Sequence, residues 1–301
     1  MSRPAFLFVV LCVVWGSNWL AVKLAIVDAP PLAFATVRSL GAGLAMLAIA
    51  GGRETLVLLR AQPGRVVATA LLANTLTYAG LYWGTAQVPS GLAAIVNNAL
   101  MPIGLAAFGA AMGEERLTPR GVAGIAIGVA GLVLLFARRS AGDGTPLALA
   151  GLAAVVAATF AYCAGSIAAR PLLRAAAPMA VGSLQMLFGA LMLVPFTLAL
   201  EPIDPAAWAG LASPASLAGL AWLIVAGGVA GMTIYLKLLH DWGPTRAGMY
   251  AFVAPIVATA LGAAVLDERL GLPELAGGGL MLAAAGLVLR DARRPAPAEP
   301  A

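Results

Sequence analysis

Four groups of residues in this chain could do chemistry, and each lies inside a long apolar run. Arg38 stands about seven residues into the run that begins at Pro31. A charge at that depth is costly and must face a cavity or find partners. Two roles are open to it: a contact for a substrate carboxylate, or a tie to backbone carbonyls of neighbouring helices. Asn97 and Asn98 precede Pro102. That proline deprives the Asn98 carbonyl of its helical donor and is expected to bend the helix, leaving freed carbonyls beside two amides. Pro255 repeats the arrangement, with Tyr250 in the place of Asn97. Both sites fit either a cavity wall or hydrogen bonding between helices. Asn74, Tyr78 and Tyr82 fall four apart on one helical face. Tyrosine offers an apolar face and a polar tip, which suits an amphipathic solute. Tyr82 and its counterpart Tyr235 lie toward run ends and read equally well as interfacial aromatics, so Tyr78 is the better candidate. Trp15, Asn18 and Trp19 occupy the middle of the first run, Trp15 as a gate, a stacking wall or packing. Tyr162 and Gln185 complete the candidate set, because they occupy the places of Trp15 and Arg38 in the second half of the chain.

Other chemistries lack their residues. His240 is the sole histidine, and Cys12 and Cys163 sit in separate apolar runs as small packing residues. No metal site or cofactor is expected from so few ligands. A membrane-embedded enzyme would want clustered carboxylates, histidines or a metal at membrane depth. A sensor would want a signalling domain or a long loop. Neither pattern is present in the sequence. Every acidic residue stands at a run end or in a connection, including Glu54, Glu114, Glu115, Glu201 and Glu268. A proton-coupled relay would place one deeper, so transport down the solute gradient is expected. Glu115-Arg116 and Glu268-Arg269 read as caps or ion pairs. Lys23 and Arg170, near run ends, read as snorkelling cations.

The elements that must position these residues are membrane helices. The chain is 61% hydrophobic and 10% charged, where a soluble domain would carry about 25% charge. Apolar runs of about 20 residues recur throughout, each long enough to cross a bilayer. Ten spans are expected, at 5–27, 31–50, 65–86, 89–112, 118–137, 146–169, 178–200, 215–239, 244–266 and 272–290. The first is read as a retained helix, since no small-residue cleavage site ends it. The Pro/Ala-rich tail from Arg293 is expected to be disordered. The net charge of +5 lies in short connections, which points to a bilayer and not to nucleic acid. Sixteen Arg against two Lys is a codon signature of a GC-rich bacterial genome.

The chain also repeats itself. Pro102 is followed thirteen residues later by Glu115-Arg116-Leu117, and Pro255 thirteen residues later by Glu268-Arg269-Leu270. Each block runs into Gly-Leu-Val-Leu, at 131–134 and 286–289. Upstream, Trp15, Lys23, Pro31 and Arg38 stand 147 residues before Tyr162, Arg170, Pro178 and Gln185. The expected units are 1–140 and 141–301, one five-span block used twice. Lys and Arg in short loops favour the side of the N-terminus by thirteen to four, which puts both termini in the cytoplasm. An odd number of spans per unit then inverts the second unit relative to the first, with a functional site near the midplane between them.

Trp15-Gly16-Ser17-Asn18, Arg38 and the two Pro-to-Glu-Arg-Leu blocks resemble the EamA-type drug/metabolite transporter superfamily. The resemblance runs from about residue 6 to residue 290. It implies an all-α integral membrane protein of ten transmembrane helices in two inverted five-helix repeats. A central cavity would be lined by spans one to four and six to nine, with the fifth and tenth peripheral. The runs 121–136 and 280–289 carry no polar side chain, so those helices can pack but cannot bind a polar solute. The resemblance favours the tie for Arg38. It implies a transporter of amino acids, other metabolites or drugs in the bacterial inner membrane. An exporter of amino acids or related metabolites is the first reading. An importer of a vitamin, nucleoside or sugar is the alternative, and monomer and homodimer are both open.

Overall fold

The computed structural model describes residues 3–113, 119–141, 145–202, 204–232, 234–235, 237–238 and 250–291. Among these residues all regular structure is helical. The helices are α1 (Arg3–Ala25), α2 (Pro31–Ala50), α3 (Gly52–Ala61), α4 (Pro63–Gln87), α5 (Ser90–Ala111), α6 (Pro119–Ala141) and α7 (Pro146–Ala168). There follow α8 (Arg170–Ala175), α9 (Pro178–Leu200), α10 (Pro205–Ala209), α11 (Pro214–Ala230), α12 (Tyr250–Leu266) and α13 (Leu272–Asp291). Proline opens α2, α4, α7, α9, α10 and α11, where its missing N–H takes nothing from the helix. Side-chain oxygens of Thr145, Asp204 and Ser213 cap α7, α10 and α11.

Among the described residues five helices are long and apolar enough to cross a membrane, and seven are if each of two bent pairs counts as one span. The bent pairs are α3 with α4 and the 205–212 segment with α11. Two expected connections therefore contain helix. The stretch 51–64 holds α3, which buries Thr55 and Leu58 and exposes its charged side. The stretch 201–214 holds α10 and a single 3₁₀ turn. The third run starts earlier than expected and carries a π-helical turn at Leu71–Leu76, and α11 carries another at Trp222–Ala230. Pro102 and Pro255 lie inside the continuous helices α5 and α12.

The most extensive helix contact is α4 on α7, followed by α2 on α9 and α6 on α13. Helix α5 is the most buried and packs on α7, α12 and α13. Its Leu92, Val96, Leu100 and Ile103 share a core with Leu152, Val155 and Met281. Gly128 of α6 lies so close to Ile103 and Ala284 that a Cβ there would overlap Ile103.

Three carboxylates tie the ends of these helices together. Just beyond α9, Glu201 accepts the N–H groups of Leu32 and Ala33, at the start of α2, at 2.6 and 2.9 Å. Just beyond α2, Glu54 accepts the N–H of Ala177, at the start of α9, at 2.7 Å. The two glutamates stand 147 residues apart, as do Pro31 and Pro178. Helices α2 and α9 are thus an antiparallel pair clasped at both ends. Gly51, with φ of 82°, makes the turn that brings Glu54 into place. Glu268 accepts from Ser90 N–H, Ser90 Oγ and Gly91 N–H at 2.8, 2.9 and 3.2 Å, capping α5. Asp267 precedes it in the left-handed region at φ 52°, which Asp tolerates. Glu268 is therefore a helix cap, while Glu114, Glu115 and Arg116 lie outside the described residues.

Candidate functional site

A cavity of about 590 Å³ runs through the middle of the bundle. Helices α1, α2, α4, α5, α7, α9, α11 and α12 all contribute to its wall. No described residue of α6 or α13 does. At one end the lining reaches Met46, Ala169, Pro178 and Met179, where α2 and α7 finish and α9 begins. The opposite end is packed shut. There Phe34 and Tyr82 meet with ring centroids 5.9 Å apart, backed by Leu193 and Leu223. Ser216 Oγ donates to the Ala25 carbonyl at 2.7 Å, tying α11 to α1. Lys23 Nζ donates to the carbonyls of Thr85, Ala86 and Val88 at 2.7, 3.2 and 2.8 Å. Lys23 therefore satisfies the orphan carbonyls at the end of α4.

The structure brings all ten candidate residues to this one cavity. From the first half come Trp15, Asn18, Arg38, Asn74, Tyr78, Asn97 and Asn98. From the second come Tyr162, Gln185 and Tyr250. The aromatic side is an edge-to-face cluster. Trp15 lies 4.4 Å from Tyr250 and 5.4 Å from Tyr235, and those two tyrosines are 5.7 Å apart. Trp15 is fixed in place, because its Nε1 donates to the Gly227 carbonyl at 3.0 Å. Gly227 is required by that contact: a Cβ there would stand 2.6 Å from Asn18 Oδ1.

The polar side is built on α2, α4 and α5. The Arg38 guanidinium sits 4.6 Å from the centroid of the Tyr78 ring, in cation–π range. Its Nε and Nη1 are buried and have no hydrogen-bond partner. The tie to neighbouring carbonyls is therefore absent at these two nitrogens. Asn74 sits on the π-helical turn of α4. Its Nδ2 donates to Met186 Sδ at 2.9 Å, and its Oδ1 is buried without a partner. Thr75 beside it donates to the Gly189 carbonyl at 3.1 Å, holding the turn against α9. A π turn loosens the four-residue spacing assumed for Asn74, Tyr78 and Tyr82, yet all three reach the cavity. Tyr82 is only 4% exposed and faces inward, and Tyr235 packs on Trp15 with its ring tilted. Asn97 does both things expected of it, lining the cavity and donating to Thr159 Oγ1 on α7 at 2.9 Å. Asn98 turns its amide back to the Ala94 carbonyl at 2.9 Å.

Sequence reasoning missed the methionines. Met46, Met101, Met179, Met186 and Met232 all line the cavity. Nothing marks a methionine in an apolar run, although a flexible thioether adapts to varied ligand shapes. Among the described residues no Asp, Glu or His lines the cavity, and no group of three metal-ligating residues occurs. His240 lies outside the described residues.

Comparison with known proteins places this architecture. The model of the EamA-like transporter family matches residues 2–137 and again residues 149–290. A Salmonella typhimurium protein named as a probable amino-acid metabolite efflux pump is 29% identical, covering 94% of each chain. The Escherichia coli inner membrane transporter YedA, itself uncharacterized, is 29% identical over 92% of this chain and 88% of its own. Protein PecM of Dickeya dadantii is 25% identical over 92% of this chain and 89% of its own. One crystal structure is alike in fold over 97% of this chain and 99% of its own, with a TM-score of 0.63 at 22% identity.

Proposed function

Because the chain belongs to the EamA-like transporter family and is a membrane transporter, we propose that it exports amino acids or related small metabolites across the bacterial inner membrane. Ten helices, in two inverted five-helix units at 1–140 and 141–301, alternate access to the central cavity, with both termini cytoplasmic. The candidate residues around the cavity are its solute contacts. One observation carries this reading. A single cavity of about 590 Å³ takes its wall from both halves of the chain, so movement of one half against the other changes which end is open. That volume is typical of sites that enclose a small organic ligand. The relative named as an amino-acid metabolite efflux pump supports the solute class. The lack of a carboxylate or His among the described lining residues supports export down the solute gradient, without a proton relay in the cavity wall.

Inside-out vesicles test direction and solute together. Vesicles containing the protein should take up labelled amino acids faster than vesicles without it. An imposed pH gradient should not by itself drive accumulation. Faster entry into right-side-out vesicles, against outward flux, would instead establish an importer.

A further inference from the structure

We infer that the transported solute carries a carboxylate and that Arg38 is its counter-ion in the cavity. This rests on the transporter reading and narrows its solute.

One charge in the cavity wall lacks its counter-ion. Arg38 Nε and Nη1 are both buried and both without a partner. Asn18 Oδ1 and Asn74 Oδ1 are buried and unpartnered as well, but they lie against the bare backbones of Gly227 and Gly189. All three side chains line the same cavity. Buried polar groups are nearly always satisfied, so two unmatched guanidinium nitrogens call for an explanation. The charge sharpens the point. Arg38 is the one cation among the described lining residues, and no carboxylate lines the cavity with it. A guanidinium does not lose its proton to relieve such burial. Tyr78 engages it through its ring, but that contact does not neutralise it. An anionic group on the solute does, and charge-assisted hydrogen bonds to a carboxylate are among the strongest available.

The Trp15–Tyr235–Tyr250 cluster and the methionines offer apolar surface to the remainder of the solute. A cationic donor and an apolar wall together fit the carboxylate and the side chain of an amino acid. A neutral sugar or a cationic drug leaves the guanidinium unneutralised.

The test uses the full-length protein in detergent and compares each of the common amino acids with its carboxamide. Binding is read from ligand-induced thermal shifts. The wild type should bind at least one amino acid tenfold or more tightly than the matching amide. Arg38→Gln should lose that preference, and Arg38→Lys should keep part of it. Without ligand, Arg38→Gln should be at least as stable as the wild type, because the removed charge had no neutralising partner. Equal binding of acid and amide by the wild type overturns the proposal. So does binding of no amino acid, an Arg38→Gln variant that still prefers the acid, or tighter binding of a phosphate monoester. Efflux from vesicles loaded with either series separates the two levels. Amides that leave as fast as the acids overturn the role of Arg38 and leave the transporter standing, whereas movement of neither series overturns export itself.

Discussion

At the scale of single residues, the cavity depends on contacts that leave no spare volume. Trp15 is anchored by the Gly227 carbonyl, and Asn18 lies against the bare Cα of the same glycine. Gly227→Ala should therefore displace Asn18 and release Trp15 from the aromatic cluster. Overpacking of this kind costs about 1–3 kcal/mol. Misplaced contacts to a solute cost on the order of tenfold or more in rate. The variant should fold with a modestly lowered Tm and lose most of its transport, and transport unchanged at wild-type Tm would remove Gly227 from the argument. The candidate residues were legible because polar groups at membrane depth are expensive and so stand out. The same logic could not see Gly227 or the methionines, whose contributions are an absence of bulk and an adaptable surface. Nor could it name the partners of Lys23. Distance from a run end cannot distinguish a cation reaching for water from one closing on the carbonyls of a neighbouring helix.

At the scale of elements, the informative feature is how helix ends are held. Glu201 closes on two orphan N–H groups of α2, and burial pushes its carboxyl above the ordinary range against the lowering effect of the Leu32 and Ala33 donors. The folded protein therefore binds this proton more tightly than the unfolded chain does. The stability this group contributes is fully present below the unfolded value, about 4.3, and is lost as pH rises through the raised folded value. Glu201→Gln keeps an acceptor but does not ionise, so its Tm should vary less with pH across that window than the wild-type Tm. Glu201→Ala leaves both donors unmatched and should cost about 1 kcal/mol at any pH in the window. A wild-type Tm that rises with pH at the expense of the variants would reverse the sign and refute this account. Helix starts were legible from proline. The helix α3 was not, because Arg53, Glu54 and Arg60 within ten residues look like a loop until Leu58 is seen to be buried. The π turns have no sequence signal either. The first of them is held by a tertiary contact, Thr75 reaching across to the Gly189 carbonyl.

At the scale of the whole molecule, the apolar composition and the internal repeat made the class of protein legible. The family match in two segments accords with the repeat that the sequence displays. The arrangement of the units is tested by reporter fusions after Gly51 and after Gly142, which should report opposite sides of the membrane. Reporters on the same side would refute the inverted arrangement. What the repeat alone did not convey was the reciprocity of Glu54 and Glu201, each fastening the start of the helix that the other follows. That double fastening has an electrical consequence. Arg38 rides on α2 and Gln185 on α9, the two helices pinned to each other at both ends. In the proposed cycle the two halves turn against each other about this pinned pair, so that Arg38 keeps its depth. The guanidinium then crosses no part of the transmembrane field, and the potential does no work on the empty carrier. Each unit charge carried across is worth about 2.3 kcal/mol per 100 mV, and here only the solute carries it. Export of a zwitterion is accordingly indifferent to voltage, and export of an anion is driven outward by a cell interior held negative.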